Sequence, residues 1–169
     1  MPDTDRPREH LVRWSDPAPI LERARTATGL ELLRELASGR LPEPPIAALL
    51  GMRPTVVEPG RVVFECAPAE FMVSPLGTVH GGIVTVLLDS AMACAAQTQL
   101  PAGTDSTTLE LKVNFVRAVT LASGRLRAEG RVVHPGSTIA TAEGRLLDAN
   151  DQLCAHATST LLVRRPRAP

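Results

Sequence analysis

Aromatic side chains are scarce in this chain of 169 residues, which has three Phe, one Trp and no Tyr. Charge of one sign is also missing, because 18 Lys and Arg balance 18 Asp and Glu and the formal net charge at pH 7 is zero. Nucleic-acid binding usually needs basic patches and aromatic side chains that stack on bases. We therefore expect no nucleic-acid partner and no attraction to an anionic membrane surface.

Cysteine is rare, and its spacing excludes two further classes of protein. Cys66, Cys94 and Cys154 stand far apart, form no CxxC or Cys/His pattern, and are odd in number. Zinc cages and disulfide frameworks both need paired or clustered cysteines. We expect small buried thiols, no metal site and no cofactor.

Long apolar runs are absent as well. The first residues, "MPDTDRPREHLVRW", carry charges where a signal peptide needs an apolar stretch. The most apolar segment is too short and too interrupted to cross roughly 30 Å of hydrocarbon. With 44% hydrophobic and 21% charged residues, the chain can still fill one core. We expect a cytoplasmic globular protein with no membrane partner.

Short helices and a stiff linker are predicted in the N-terminal part. Thr28 and Glu31 form a capping box ahead of an apolar helical pattern that ends at Gly39. The stretch "LPEPP" that follows cannot continue a helix. We assign residues 1–50 to a helical extension with its linker and residues 51–165 to the main domain. Because the part up to Leu41 has no polar cluster, we expect it to be peripheral to the chemistry, although it could cover a pocket or an interface.

Extended segments dominate the rest of the chain. "MRPTVVE", the turn "PG" and "RVVFECA" predict a hairpin in which Pro54 restricts the first strand to a sheet edge. Four further extended segments follow Gly103, joined by turns such as "HPGS" and "LDANDQ", which predicts an antiparallel meander. In residues 108–116 the alternation predicts a buried face. That face would carry Leu109, Leu111, Val113 and Phe115.

One apolar helix interrupts the strands, "GTVHGGIVTVLLDSAMACAA" at residues 77–96. A nearly all-apolar helix can be buried when an antiparallel sheet with one apolar face curls around it. The sequence therefore predicts an α+β fold in which a curved antiparallel sheet wraps a long central helix, with a short helical extension at the N-terminus.

Asp89 is the single charged side chain within that helix. A buried carboxylate costs several kcal/mol unless it is paired, so it either forms an ion pair in the core or serves in chemistry. It lies nine residues after His80, which is the opposite side of a helix and about 13 Å further along. One helix cannot bring both residues to one substrate, whereas a second copy related by a two-fold axis could. We expect an obligate dimer.

Two glycines, Gly81 and Gly82, begin the helix. Without Cβ atoms they let a ligand approach the unpaired N–H groups of a helix N-terminus, which can act as an oxyanion hole. An oxyanion hole opposite a carboxylate suits acyl transfer to water, with the carboxylate as general base or nucleophile. Taken alone, the glycine pair is more often turn chemistry.

Four segments together resemble a known family: "PLGTVHGGIVTVLLDSA", "TTLELKVNFVRAV", "GRVVHPGSTIATAEGRLLD" and "LCAHATSTLLV". Over residues 29–163 the chain resembles the hotdog-fold acyl-CoA thioesterases of the phenylacetic-acid-degradation type. The resemblance implies hydrolysis of a fatty or aryl acyl-CoA to the free acid and CoA. It also implies self-association to a homodimer and a homotetramer, in which each active site draws on two chains.

The resemblance also implies roles for single residues. Asp89 matches the catalytic carboxylate, and Gly81 matches the backbone amide that polarises the thioester carbonyl. His80 would support the loop, and Thr108 would position the water. Ser74 stands where relatives often have Asn or Gln, so the donor to the substrate carbonyl is shorter here.

Other positions are candidates for substrate binding. Ser137 is neutral where relatives often have a basic residue for the CoA phosphates, which leaves Arg117 as a candidate for that contact. Gly82, His134 and Gly136 complete the candidate substrate-binding residues.

Three functions remain open at this stage. The first is the acyl-CoA thioesterase. The second is a hotdog hydratase or dehydratase, which would need a His and a carboxylate converging on one carbon atom. The third is a non-catalytic acyl-CoA-binding or regulatory protein, for which Ser74 is the supporting feature. Release of free thiol from acyl-CoAs separates the first function from the others.

Overall fold

A six-stranded antiparallel sheet wraps around one long helix in the computed structural model, which describes residues 7–164. The helices are α1 (Ala18–Ala24), α2 (Gly29–Ala37), α3 (Pro45–Leu50) and α4 (Gly81–Gln97). The strands are β1 (Arg53–Glu58), β2 (Arg61–Cys66), β3 (Asp105–Phe115), β4 (Leu126–His134), β5 (Ile139–Leu147) and β6 (Leu153–Arg164). Across the sheet their order is β1-β2-β4-β5-β6-β3. The predicted α+β architecture is confirmed.

The core lies between α4 and the concave face of the sheet. Leu87, Leu88 and Met92 of the helix are fully buried there. The helix backbone comes unusually close to β4, because a Cβ atom on Gly130 would lie 2.3 Å from the carbonyl carbon of Ala91. A glycine in the strand therefore permits the contact that holds the helix against the sheet.

The N-terminal helices pack onto this core. The capping box of α2 is present, with Thr28 accepting from the Glu31 N–H and the Glu31 carboxylate accepting from the Thr28 N–H. The N–H of Gly29 donates to the Leu100 carbonyl at 3.1 Å, and a Cβ on Gly29 would lie 1.7 Å from the Gln97 carbonyl oxygen. Helix α2 thus begins in direct contact with the end of α4. The division of the chain at residue 50 stays a prediction.

The two edges of the sheet are β1 and β3. Pro54 lies in β1 as the hairpin predicted, where its missing N–H costs no ladder hydrogen bond. In β3 the register shifts between Thr108 and Glu110, so Leu109 lies in a β-bulge. Leu109 is 57% exposed and Phe115 is 55% exposed, so the prediction that both are buried is wrong. The bulge reorients Leu109, and Phe115 stays half-exposed because β3, as an edge strand, has no neighbouring strand on its outer side within residues 7–164.

The three cysteines form no disulfide, and Cys66 and Cys154 are buried as expected, while Cys94 is partly buried. Within residues 7–164, none of the helices is long and apolar enough to cross a bilayer.

Candidate active site

Asp89 and Thr108 meet between the central helix and the edge strand. Asp89 lies in the third turn of α4, and Thr108 lies in β3 immediately before the bulge. The Thr108 hydroxyl donates to Asp89 Oδ1 at 2.9 Å, and both side chains are partly buried. The structure therefore brings together two of the residues that the sequence singled out.

The carboxylate of Asp89 has no cationic partner among residues 7–164, since every ion pair there joins other residues. Partial burial removes part of the hydration of a carboxylate, and a hydrogen bond from one neutral hydroxyl recovers only some of the free energy that is lost. The core ion pair that was an alternative at the sequence level is thus not formed by the described part of the chain.

An apolar cavity of about 400 Å³ opens beside Asp89, between α4 and the N-terminal helices. Its apolar wall is formed by Leu33, Leu36, Ala37, Leu41, Pro44, Ile46, Ala47, Met52, Pro54, Phe64 and Ala93. Helix α2 and the linker therefore cover a pocket, which the sequence allowed, and the expectation that the segment up to Leu41 is peripheral to the chemistry stays a prediction. The contacts of Gly29 with Leu100 and Gln97 hold the start of α2 against the end of α4, and α2 contributes a wall of the cavity.

Cys94 also lines this cavity, five residues after Asp89 on α4. Burial, and secondly the negative charge of Asp89, raise the pKa of the Cys94 thiol to about 12. The thiol is therefore neutral at physiological pH and adds to the apolar character of the wall.

The N-terminus of α4 presents one free donor. His80 Nδ1 accepts the Gly82 N–H at 2.9 Å, so that amide is occupied and His80 is the N-cap. The Gly81 N–H makes no hydrogen bond within residues 7–164. The Phe115 ring lies over Gly81, where an added Cβ would be 3.2 Å from Cζ. Of the two glycines, Gly81 offers the available amide.

A second cavity, of about 350 Å³, contains Gly81 and not Asp89. Thr78, Phe115 and Arg117 also line it. Gly81 and Asp89 are separated by about 12 Å along the helix axis. Within one chain, the free amide and the carboxylate therefore belong to different cavities.

Ser74 lies in a tight turn that leads into α4. Its N–H donates to the Thr78 carbonyl at 2.7 Å, and its hydroxyl accepts from the Leu76 N–H at 3.3 Å. The same hydroxyl is 3.3 Å from the Thr78 hydroxyl. Because these contacts occupy the side chain, Ser74 shapes the loop before His80 and does not line the cavity of Gly81.

The remaining candidates separate into two places. Arg117 is exposed beside the cavity of Gly81 and donates to Gln152 Oε1 at 3.3 Å. Gly136 and Ser137 line a third cavity together with residues of the loop that follows α4, and His134 lies next to Gly136. One chain thus brings His134, Gly136 and Ser137 near neither Gly81 nor Asp89. No cluster of three or more His, Cys, Asp or Glu side chains that could hold a metal occurs in residues 7–164.

Phe115 and the wall of the apolar cavity were not identified from the sequence. The alternation in β3 assigned Phe115 to the core, and the apolar pattern of α2 showed which face is buried but not that a cavity remains behind it. Only the packing of distant segments defines these features.

Comparison with known proteins identifies the family of the chain. The profile of the thioesterase superfamily matches residues 76–155. A Saccharolobus solfataricus protein described as an esterase is 33% identical over 111 residues, which are 66% of this chain and 77% of that protein. The 1,4-dihydroxy-2-naphthoyl-CoA hydrolase of Listeria monocytogenes is 24% identical over 118 residues, which are 70% of this chain and 94% of that enzyme.

Solved structures share the fold over nearly their whole length. A phenylacetic acid degradation-related protein of Ralstonia eutropha has a TM-score of 0.70 and 26% identity, covering 77% of this chain and 98% of that one. A Streptococcus mutans protein bound to acetyl-CoA has a TM-score of 0.62 and 25% identity, covering 69% of this chain and 91% of that one. The chain therefore belongs to the thioesterase superfamily and is a thioester hydrolase of the PaaI-like type with the hotdog fold.

Proposed function

We propose that this protein hydrolyses an acyl-CoA to the free acid and CoA, with Asp89 as the catalytic carboxylate. The observation that carries the proposal is the Asp89 carboxylate at an apolar cavity, held by the Thr108 hydroxyl and by no cation within residues 7–164. A carboxylate in this setting can act on water or on a carbonyl carbon. The Streptococcus mutans relative bound to acetyl-CoA supports an acyl-CoA substrate.

The chemistry follows from the contacts of the carboxylate. Thr108 holds Oδ1, which leaves Oδ2 to accept a proton from water. The water oxygen then bonds to the thioester carbon, and the carbonyl electron pair moves onto the oxygen that the Gly81 N–H stabilises. When the C–S bond breaks, the CoA sulfur takes the proton from Asp89. In the nucleophilic alternative, Oδ2 itself bonds to the thioester carbon, the C–S bond breaks and CoA leaves as the thiolate. Water then hydrolyses the resulting anhydride to the free acid and the Asp89 carboxylate, and the proton released in that step goes to the thiolate.

We propose that Gly81 of one subunit and Asp89 of another form each site. Three features support this arrangement. The two residues lie in different cavities of one chain. The strand β3 is a sheet edge, whose unpaired backbone groups favour pairing with another chain. Finally, Leu109 and Phe115 are exposed along β3, and Val116 is exposed immediately after it. A homodimer follows from this proposal, and the family resemblance extends it to a homotetramer built from two such dimers.

The other candidate residues, which lie apart from Asp89 in one chain, fit a site that is shared between subunits. Arg117 is near Gly81 and is our candidate for the CoA phosphates, while His80 sets the start of α4. We assign Gly136, Ser137 and His134 to a more distant part of the substrate surface, contributed by a neighbouring subunit. The three unpaired cysteines are consistent with a cytoplasmic location.

The hydratase or dehydratase is less well supported. It needs a His and a carboxylate that act on one carbon atom, whereas Nδ1 of His80 already accepts the Gly82 N–H and caps α4.

The substitution Asp89→Asn tests the catalytic assignment. It keeps the volume of the side chain and removes its basicity and nucleophilicity, so we expect the rate of thiol release from acyl-CoAs to fall by roughly 10² to 10⁴. We expect the melting temperature to stay close to that of the wild type, because no buried cation loses a partner. A variant that keeps wild-type turnover, or one that is active but strongly destabilised, would assign Asp89 a structural role instead.

A further inference from the structure

We infer that the cavity beside Asp89 is the binding site for an unsubstituted, medium-length aliphatic acyl chain, and that the N-terminal helices α2 and α3 limit its length. This inference rests on the proposed function and adds the class of acyl group. The carbonyl carbon would lie at the Asp89 carboxylate, with the rest of the acyl chain in the cavity.

The direction of the cavity follows from its lining on α4. Asp89, Ser90, Ala93 and Cys94 line it, and no residue of α4 before Asp89 does. Positions three and four residues apart share one face of a helix. The cavity therefore extends from the carboxylate toward the C-terminal end of α4, which is the direction an acyl chain would take from a carbonyl at Asp89.

The chemistry of the wall favours a hydrocarbon over a hydroxylated ring. Apart from Asp89, the polar side chains at the cavity are Ser90 and the exposed Glu43 and Arg53. The Cys94 thiol stays neutral there. A ring hydroxyl that is buried without a hydrogen-bond partner weakens binding by about 1–3 kcal/mol. Each methylene buried in the cavity instead strengthens binding. An aliphatic chain is therefore the better occupant.

The volume sets the length of that chain. At about 30 Å³ for a group of the size of a water molecule, the roughly 400 Å³ of the cavity holds about a dozen methylene-sized groups. Because the mouth also admits solvent, we expect an optimum at roughly 8 to 12 carbons. Each methylene added up to that length should raise kcat/KM about fourfold, which corresponds to about 0.8 kcal/mol.

The N-terminal helices supply much of the wall of the cavity. Leu33 and Leu36 of α2 and Ile46 of α3 line it together with Ala93 of α4. Leu36 is half-buried, and Ile46 is exposed at the rim. Replacing Leu36 by a small residue should lengthen the cavity, whereas enlarging Ala93 should shorten it next to the carboxylate.

The test compares thiol release from butyryl-, octanoyl-, decanoyl- and dodecanoyl-CoA and from a hydroxyphenylacetyl-CoA. We expect Ala93→Met to lower kcat/KM for decanoyl-CoA at least tenfold and for butyryl-CoA less than twofold. We expect Leu36→Ala to move the optimum to chains longer by about two or three carbons. The matched control is Leu49→Ala on α3, which lies outside the cavity, is 40% exposed and should leave the profile unchanged. Melting temperatures check that all three variants are folded.

Identical chain-length profiles in wild type, Ala93→Met and Leu36→Ala would overturn the inference, and so would a preference for the hydroxylated aryl substrate. Calorimetric titration with decanoate reports on the cavity without turnover, and we expect Ala93→Met to weaken that binding at least tenfold. A wild type that releases no thiol but binds decanoate in this way would refute the proposed hydrolysis and support the cavity assignment. Absence of decanoate binding would contradict the assignment itself.

Discussion

At the scale of single residues, the proposed role of the Gly81 N–H as oxyanion donor can be tested separately from its place in the helix. Its amide is free within residues 7–164, and it occupies the first helical position of α4, where proline is well tolerated. The preceding residue, His80, has φ −59° and ψ 134°, a conformation that a following proline permits. Proline at this position would therefore remove one N–H and leave the helix in place.

We predict that Gly81→Pro lowers kcat for thioester hydrolysis by roughly 10² to 10³, the usual effect of losing one oxyanion donor. The melting temperature should not fall. Gly81→Ala is the matched control, because it keeps the N–H and adds a Cβ 3.2 Å from Cζ of Phe115. If both variants lose activity to the same extent, the loss is explained by the steric contact with Phe115 and not by removal of the Gly81 N–H.

Cys94 provides a prediction that depends on pH. Since burial and the Asp89 charge raise the pKa of its thiol to about 12, only about one molecule in 10⁴ carries the thiolate at pH 8. We expect iodoacetamide to leave Cys94 unmodified in the folded protein at pH 8, with a rate that still rises between pH 9 and pH 11. Site-resolved mass spectrometry measures this, with the urea-unfolded chain as control. A plateau near pH 9 would show an ordinary, accessible thiol.

At the scale of secondary-structure elements, the contact between α4 and β4 depends on Gly130. We predict that Gly130→Ala lowers the melting temperature by roughly 5–10 °C, because its Cβ would lie 2.3 Å from the Ala91 backbone, and overpacking typically costs about 1–3 kcal/mol. The control is Gly39→Ala, whose Cβ would meet nothing within 4 Å although its φ is +74°. Calorimetry that shows a larger loss for Gly39→Ala would contradict the close helix–sheet contact.

The elements that a short sequence motif defines, such as a helix cap or a proline in a strand, were predicted well from the sequence. The capping box gave the start of α2, and Pro54 placed its strand at an edge of the sheet. The bulge at Leu109 and the exposure of Phe115 were missed, since the alternation of side chains does not show where a register slips or which strand lacks a neighbour. The sequence left open whether α2 covers a pocket or an interface, because that depends on how α2 packs against α4.

At the scale of the whole molecule, the candidate residues are spread along a helix about 25 Å long. Gly81 lies at its start, Asp89 in its middle, and Gly136 beside its end. The spacing of His80 and Asp89 predicted this separation, and the family resemblance placed Thr108 with Asp89. The sequence could not show which cavity each residue lines, because that depends on α2, α3 and β3 together.

The most direct test of a shared site mixes two inactive chains. Asp89→Asn and Gly81→Pro each disable the sites of a homodimer. A mixed dimer has one site with the intact Asp89 of one chain and the intact Gly81 of the other. After co-expression with two different affinity tags and tandem purification, each mixed dimer should release thiol at about half the wild-type rate. The separately purified variants should remain at least about 100-fold below wild type. Mixed dimers as inactive as their parents would contradict a site shared between subunits.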